Sequence, residues 1–240
     1  MSGARTAADD GASPGYRPGV YEDRTAIANA VAAGEHRALV GGLWDELGTL
    51  QLRFLTEQGL KPHHTFVDIG CGAFRAGVKL VPYLDVGNYY GIDVSPELLD
   101  AGYEEEIASA GLAARLPREN VSATATFDVS TFGVAFDYAL AQSVFTHLPL
   151  SAFDRCLRAL RPHMRAGGVV FSTWFVAPHR SRRPSRHTQP HGLQTFHDRD
   201  PYHASVDVIV QATRGAGWVP VWIGDWNHPR HQQMLAAVAP

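Results

Sequence analysis

The chain has 240 residues and a formal charge of −3, from 21 Lys and Arg against 24 Asp and Glu. That length is enough for one α/β domain with a full core. The charge argues against a general, sequence-independent grip on nucleic acid, which needs a basic surface, and no apolar run approaches the roughly 20 residues of a membrane span. Cys71 and Cys156 lie in unrelated segments without a Cys-x-x-Cys pair, so neither a disulfide framework nor a cysteine metal site is expected.

Residues 1–20 are small and polar and lack an apolar core of the secretory kind. They are expected to be a disordered tail, with the cytoplasm as the default location. From Arg24 to Gly59 the sequence reads as helical, broken at Gly41-Gly42, with Leu43, Trp44, Leu47, Leu50, Leu52 and Leu55 recurring on one face. Strands and helices then alternate. Strands are predicted over Thr65–Ile69, Tyr89–Ile92, Val121–Thr126, Phe136–Ala141 and Gly168–Trp174. Helices are predicted over Phe74–Leu84, Pro96–Ala110 and Leu150–Met164, with Ser95 as N-cap and Pro96 at the first helical position. Residues 176–204, rich in His, Arg, Pro and Ser, interrupt this rhythm and read as a lid-like insertion without regular structure. A helix over Ser205–Gly217 and strands over Trp218–Ile223 and Gln233–Val238 complete the chain. The fold class is therefore α/β: a doubly wound, mostly parallel seven-stranded sheet ending in an antiparallel hairpin. Residues 21–240 form one domain, with helices over residues 21–60.

The first strand runs into Gly70-Cys71-Gly72, a turn that lets a ligand approach the backbone closely. A helix with free N–H groups follows. Asp93 ends the next strand about 20 residues on, where an acid accepts hydrogen bonds from ribose hydroxyls. Such a crossover suits a nucleoside. A dinucleotide fingerprint would need glycine at position 75, where the chain has Arg75. Asp68, two residues before the first glycine, would repel a pyrophosphate and suits a cationic ligand.

Three segments carry a resemblance. Phe66-Val67-Asp68-Ile69-Gly70-Cys71-Gly72, Tyr90-Gly91-Ile92-Asp93-Val94-Ser95 and the run from Phe136 to Pro149 resemble successive motifs of the class I S-adenosylmethionine-dependent methyltransferases. Leu160-Arg161-Pro162 with Gly167-Gly168 continues the pattern, and Phe74 stands where that family's first motif has its third glycine. The resemblance implies S-adenosylmethionine as cofactor and S-adenosylhomocysteine as product. It implies Asp68, Gly70, Cys71 and Gly72 around the methionine portion, and Arg75 against its carboxylate. Asp93 would hold the ribose, Val94 would pack near the adenine, Asp128 would meet the adenine amino group, and Phe127 or Val129 would flank the ring. Gln142 and Ser143 would face the sulfonium. Plainer roles stand beside these: Asp128 as a turn acid, Cys71 as a small buried residue, Arg75 as a core-pairing charge.

His147, just past the fourth strand, is the candidate catalytic base for an acceptor that must lose a proton. Trp44, Trp174, Arg182 and Arg183 are candidate acceptor contacts, with Tyr16 also placed to close the pocket. The arginines belong to the basic run of residues 179–187, which suits an anionic group or a solvated loop. His187, His191, His197, His203, His228 and His231 raise a metal hypothesis, but Pro190 breaks the helical spacing of the first two, and no metal is expected. The expected reaction is methyl transfer to an oxygen or nitrogen of a small molecule, in specialised metabolism. A peptide methyltransferase, a nicotinamide-dependent oxidoreductase and a non-catalytic S-adenosylmethionine-binding module are the alternatives. Neither a nucleic-acid nor a membrane partner is expected.

Overall fold

The computed structural model describes residues 24–178 and 185–240. The expected disordered tail, Tyr16, Arg182 and Arg183 lie outside the described residues.

Three helices lead in: α1 (Arg24–Ala32), α2 (His36–Leu39) and α3 (Trp44–Glu57). The break between the last two falls at Gly41 and Gly42, whose φ values of +88° and +61° only glycine adopts without cost. Helix α3 buries Leu47, Leu50 and Leu55 of the predicted apolar face together with Phe54, while Leu43 is exposed and Leu52 only partly buried. The central alternation follows as β1 (Phe66–Ile69), α4 (Gly77–Tyr83), β2 (Tyr89–Asp93), α5 (Pro96–Gly102), β3 (Val121–Ala123), β4 (Phe136–Ala141), α6 (Leu150–Leu160) and β5 (Met164–Val176). A π-helical turn, Tyr103–Ala108, prolongs α5. Within it the buried Glu106 binds His36 Nε2 at 2.7 Å and Arg37 Nε at 2.6 Å, which ties the lead-in helices to the domain.

The sheet order is β3-β2-β1-β4-β5-β10-β9, where β9 is Val219–Asp225 and β10 is Gln233–Val238. Strands β1 to β5 pair in parallel, and β10 runs antiparallel to both β5 and β9. This is the predicted doubly wound sheet with its terminal hairpin. All four residues of β1 are buried, as expected of a strand covered on both faces. Phe66 packs on the side of α3 and α4 with Phe54, Leu80 and Tyr89, while Val67 and Ile69 pack on the side of α6 with Phe153 and Leu157. Helix α7 (Val206–Gly215) adds Ile209 to the second layer.

Two expectations are corrected. Helix α4 begins at Gly77, not at Phe74, because Phe74 sits at φ +66°, outside helical geometry. The insertion is not structureless. It holds the antiparallel pair β6 (Arg186–Thr188) and β7 (Gln194–Phe196), and β8 (His203–Ala204), which pairs with the end of β5 and makes the sheet eight-stranded. Strands of two or three residues are too short to carry a periodic signal. The segment is held by polar contacts: Thr195 Oγ1 lies 2.9 Å from His203 Nδ1, and Gln189 Nε2 donates to Thr195 Oγ1 at 3.0 Å. Among the described residues no helix is long and apolar enough to cross a membrane.

Candidate active site

Strand order reverses between β1 and β4, so the loops beyond their carboxyl ends diverge and leave a crevice. A cavity of about 280 Å³ lies there, near the lower bound of ligand sites at roughly 300 Å³.

Its floor is the turn after β1. Gly70 and Gly72 have φ of +68° and +55°. A Cβ on Gly70 would stand 2.7 Å from Val144 Cγ2, and one on Gly72 equally close to Val40 Cγ1, so the turn admits only glycine at both places. Backbone N–H groups of Gly70 and Cys71 donate to Ile92 O at 2.8 and 3.0 Å, which fixes the turn against β2. Asp93 joins the two crossovers. Its Oδ2 accepts from the Gly72 N–H at 2.9 Å and its Oδ1 from the Ser95 N–H at 3.0 Å. Burial pushes its carboxyl above the ordinary value, opposed by those backbone donors. Helix capping falls to Ser95, whose Oγ accepts from the Leu98 N–H at 3.1 Å.

Among the predicted site residues, Gly70, Gly72, Arg75, Asp93, Val94, Gln142, Ser143 and His147 all line this cavity. Arg75 is nearly buried and its Nη1 donates to Val40 O at 2.6 Å and Gly42 O at 3.2 Å. Ser143, at φ +60°, donates its N–H to Thr173 Oγ1 at 2.7 Å and its hydroxyl to Gln232 Oε1 at 3.0 Å. Gln142 lies 3.4 Å from His228 Nε2, and its buried Oε1 has no hydrogen-bond partner. Burial and the nearby Arg75 and Arg230 hold His228 down to about 3, so its ring is neutral.

Other predicted residues sit elsewhere. Asp68 and Cys71 are buried and are not among the residues of the cavity wall. Asp68 Oδ2 accepts from the Tyr89 hydroxyl at 2.8 Å, and burial pushes its carboxyl up to about 7. Burial likewise raises the Cys71 thiol, so the plain reading of a small buried residue holds for it. Asp128 is exposed and takes the Ser130 N–H at 2.8 Å, as a turn acid does. Val129 is in the core. Trp174 is no acceptor contact: it is buried among Phe145, at 5.4 Å, and Phe153, at 4.8 Å, because its side chain falls on the α6 face of β5. Trp44 packs on His36 and beneath the Arg37 guanidinium, outside the cavity. His187 faces His203, and His191 stacks between Phe175 and His231.

The cavity also takes residues that sequence reasoning did not single out. Val40 comes from the lead-in helices, Leu98 from α5, Thr124 and Ala125 from the loop after β3, Leu148 from the turn after β4, and Arg155 from α6. None stands in a pattern that marks it, since each reaches the cavity only through tertiary packing. Asp200, also not singled out, is not in the lining but touches it: its Oδ1 lies 2.8 Å from Nδ1 of the lining residue His147.

The glycine turn and the acid ending the second strand meet at the crevice of the switch point. The family model described as "Methyltransferase domain" matches residues 67–170, the span that builds it. Residues 67–170 of the chain are thus similar to a methyltransferase domain.

Solved structures share the fold. The magnesium protoporphyrin IX methyltransferase of Synechocystis PCC 6803, solved with bound S-adenosylmethionine, is 14% identical with a TM-score of 0.60, over 91% of this chain and 97% of that one. The CcbJ methyltransferase from Streptomyces caelestis is 12% identical with a TM-score of 0.60, over 80% and 90% of the two chains. The (4+2)-cyclase SpnF is 17% identical with a TM-score of 0.57, over 80% of this chain and 81% of its own. At such identities the likeness is one of fold, and that fold hosts more than one reaction.

Proposed function

We propose that this methyltransferase domain transfers the methyl group of S-adenosylmethionine to an oxygen or nitrogen of a small-molecule acceptor in specialised metabolism. The observation that carries the reading is Asp93, a carboxylate in the cavity wall, fixed by two backbone donors and set beside a turn that only glycine fits. A carboxylate has about four lone-pair sites, so two backbone bonds leave capacity for ribose hydroxyls.

The remaining residues fit the same ligand. Val94, Thr124, Ala125 and Phe127 give the adenine end an apolar and weakly polar wall. Arg75, anchored by two carbonyls, supplies positive charge near the methionine carboxylate. Gln142 Oε1, buried and unpartnered, offers an acceptor where a ligand donor would otherwise be missing. When bound, the cofactor supplies an electrophilic methyl on a positively charged sulfur. The protein's part is to align the acceptor, keep water out and take a proton, and His147 in the cavity wall is suited to the last of these. Arg155, exposed at the cavity with no ion-pair partner among the described residues, supports an acceptor with an anionic group. The methyltransferases solved with this fold support a small acceptor, magnesium protoporphyrin IX being one by name.

Asp68 makes the ligand's charge testable. Its carboxyl, near 7, is neutral below that pH and ionised above it. A cationic ligand over the turn favours the ionised form, so affinity for S-adenosylmethionine should rise several-fold from pH 6 to pH 8. Asp68→Asn should flatten that rise in a calorimetric pH series, and an affinity that falls with pH in the wild type would contradict this electrostatic role. The reaction itself is tested by incubating the protein and S-adenosylmethionine with candidate acceptors and following by mass spectrometry the appearance of methylated product with S-adenosylhomocysteine. A protein that binds the cofactor and methylates none of them would support the non-catalytic alternative.

A further inference from the structure

The insertion brings a carboxylate against His147 from 53 positions away in the chain. His147 stands in the turn after β4, its N–H donating to Val144 O at 3.1 Å, and is one of the residues lining the cavity. Asp200 Oδ1 lies 2.8 Å from its Nδ1, and the two side chains are 31% and 19% exposed. The backbone beside Asp200 is clamped twice. Phe196 N–H donates to Pro201 O at 2.8 Å, and Tyr202 N–H donates to Thr146 O at 2.7 Å, directly beside His147. The insertion is thus docked on the very turn that carries the histidine, with its carboxylate set against the ring.

We infer that Asp200 is a positioning residue for His147, fixing the ring and its tautomer for proton transfer from the methyl acceptor. A carboxylate only accepts, so the neutral ring carries its proton on Nδ1 and its lone pair on Nε2. As the acceptor's oxygen or nitrogen directs its electron pair to the methyl carbon, its proton passes to Nε2. The carbon–sulfur bond breaks with its pair left on sulfur. The resulting imidazolium faces the Asp200 carboxylate, and the proton then leaves to water. Asp200 touches no reacting atom; it acts through His147, as the orienting member of a base–orienter pair. The inference rests on the methyl-transfer reading and extends it to the insertion, which gains a role at the site.

Three measurements test it together. Nitrogen-15 spectra of the histidine rings, with the His147 signals identified by their loss in His147→Gln, should show the Nδ1–H tautomer in the wild type and its loss in Asp200→Ala. Calorimetry with S-adenosylhomocysteine should give the same affinity for Asp200→Ala as for the wild type. Methyl transfer to the first acceptor found by mass spectrometry should fall roughly 10- to 100-fold in Asp200→Ala, within the range of general-base contributions. Asp200→Glu should recover part of it, and the double variant with His147→Gln should be no slower than His147→Gln alone. An Asp200→Ala protein with wild-type tautomer and turnover would overturn the inference while leaving methyl transfer standing. Losses that add in the double variant would also overturn it, since they would make Asp200 a simple anchor of the insertion. A wild type that fails to bind S-adenosylhomocysteine would overturn the methyl-transfer reading, and the inference with it.

Discussion

Asp93→Ala should weaken S-adenosylhomocysteine binding by about 1.5–3 kcal/mol, roughly ten- to a hundredfold, the scale of a lost charge-assisted hydrogen bond. Two separate losses combine in this variant. The ligand loses its carboxylate partner in the cavity wall, and the N–H groups of Gly72 and Ser95 lose the acceptor that holds the two crossover loops together. The second loss acts on stability as well as on binding. Asp93→Asn separates them: the amide keeps one acceptor oxygen for a backbone donor, but presents an N–H₂ to the other. Its affinity loss should therefore approach that of alanine. Calorimetry below the melting temperature of each variant is the check, and wild-type affinity in a folded Asp93→Ala would remove this residue from the site.

Phe74 carries the largest expected effect on stability. It is fully buried, packs near Tyr89 and Tyr103, and holds φ +66°, where the related motif has glycine. A left-handed residue other than glycine costs about 1–2 kcal/mol. Deleting a buried phenylalanine side chain costs about 3–5 kcal/mol. The core contribution outweighs the backbone cost, which is why the aromatic ring is tolerated at a glycine's position. Phe74→Ala should therefore destabilise the protein by about 3–5 kcal/mol. Phe74→Gly should be less damaging than Phe74→Ala by about 1 kcal/mol, the reverse of the usual order in helices and strands. Chemical denaturation of the two variants compares them directly, and alanine proving the milder change would contradict a left-handed backbone at this position.

Phe74 also shows where sequence reading ends. Its neighbours Gly70 and Gly72 announce the turn, because glycine in that place has few other uses. A phenylalanine in left-handed geometry carries no such mark, so the following helix is read three residues too early. The sheet was legible for a related reason. Strands such as Phe136–Ala141 and Gln233–Val238 are buried on both sides, and burial writes continuous apolar runs into the chain. The small strands of the insertion bury little and left no pattern. The same division runs through the site. Asp93 and Gln142 stand at strand ends, where chain order alone sets position, and both reach the cavity. Trp174 also stands near a strand end, yet alternation turns its ring toward α6. Arg155 reaches the cavity through the packing of α6, and Asp200 reaches His147 through the docking of the insertion, which no local spacing encodes.

The central claim is that the cavity between β1 and β4 is a site for S-adenosylmethionine and not for a dinucleotide. Parallel calorimetric titrations of the wild-type protein with S-adenosylhomocysteine and with reduced nicotinamide adenine dinucleotide test it most directly. Saturable one-site binding of S-adenosylhomocysteine, weakened in Asp93→Ala, with no heat from the dinucleotide, is the predicted result. Tight binding of the dinucleotide with none of S-adenosylhomocysteine would contradict it.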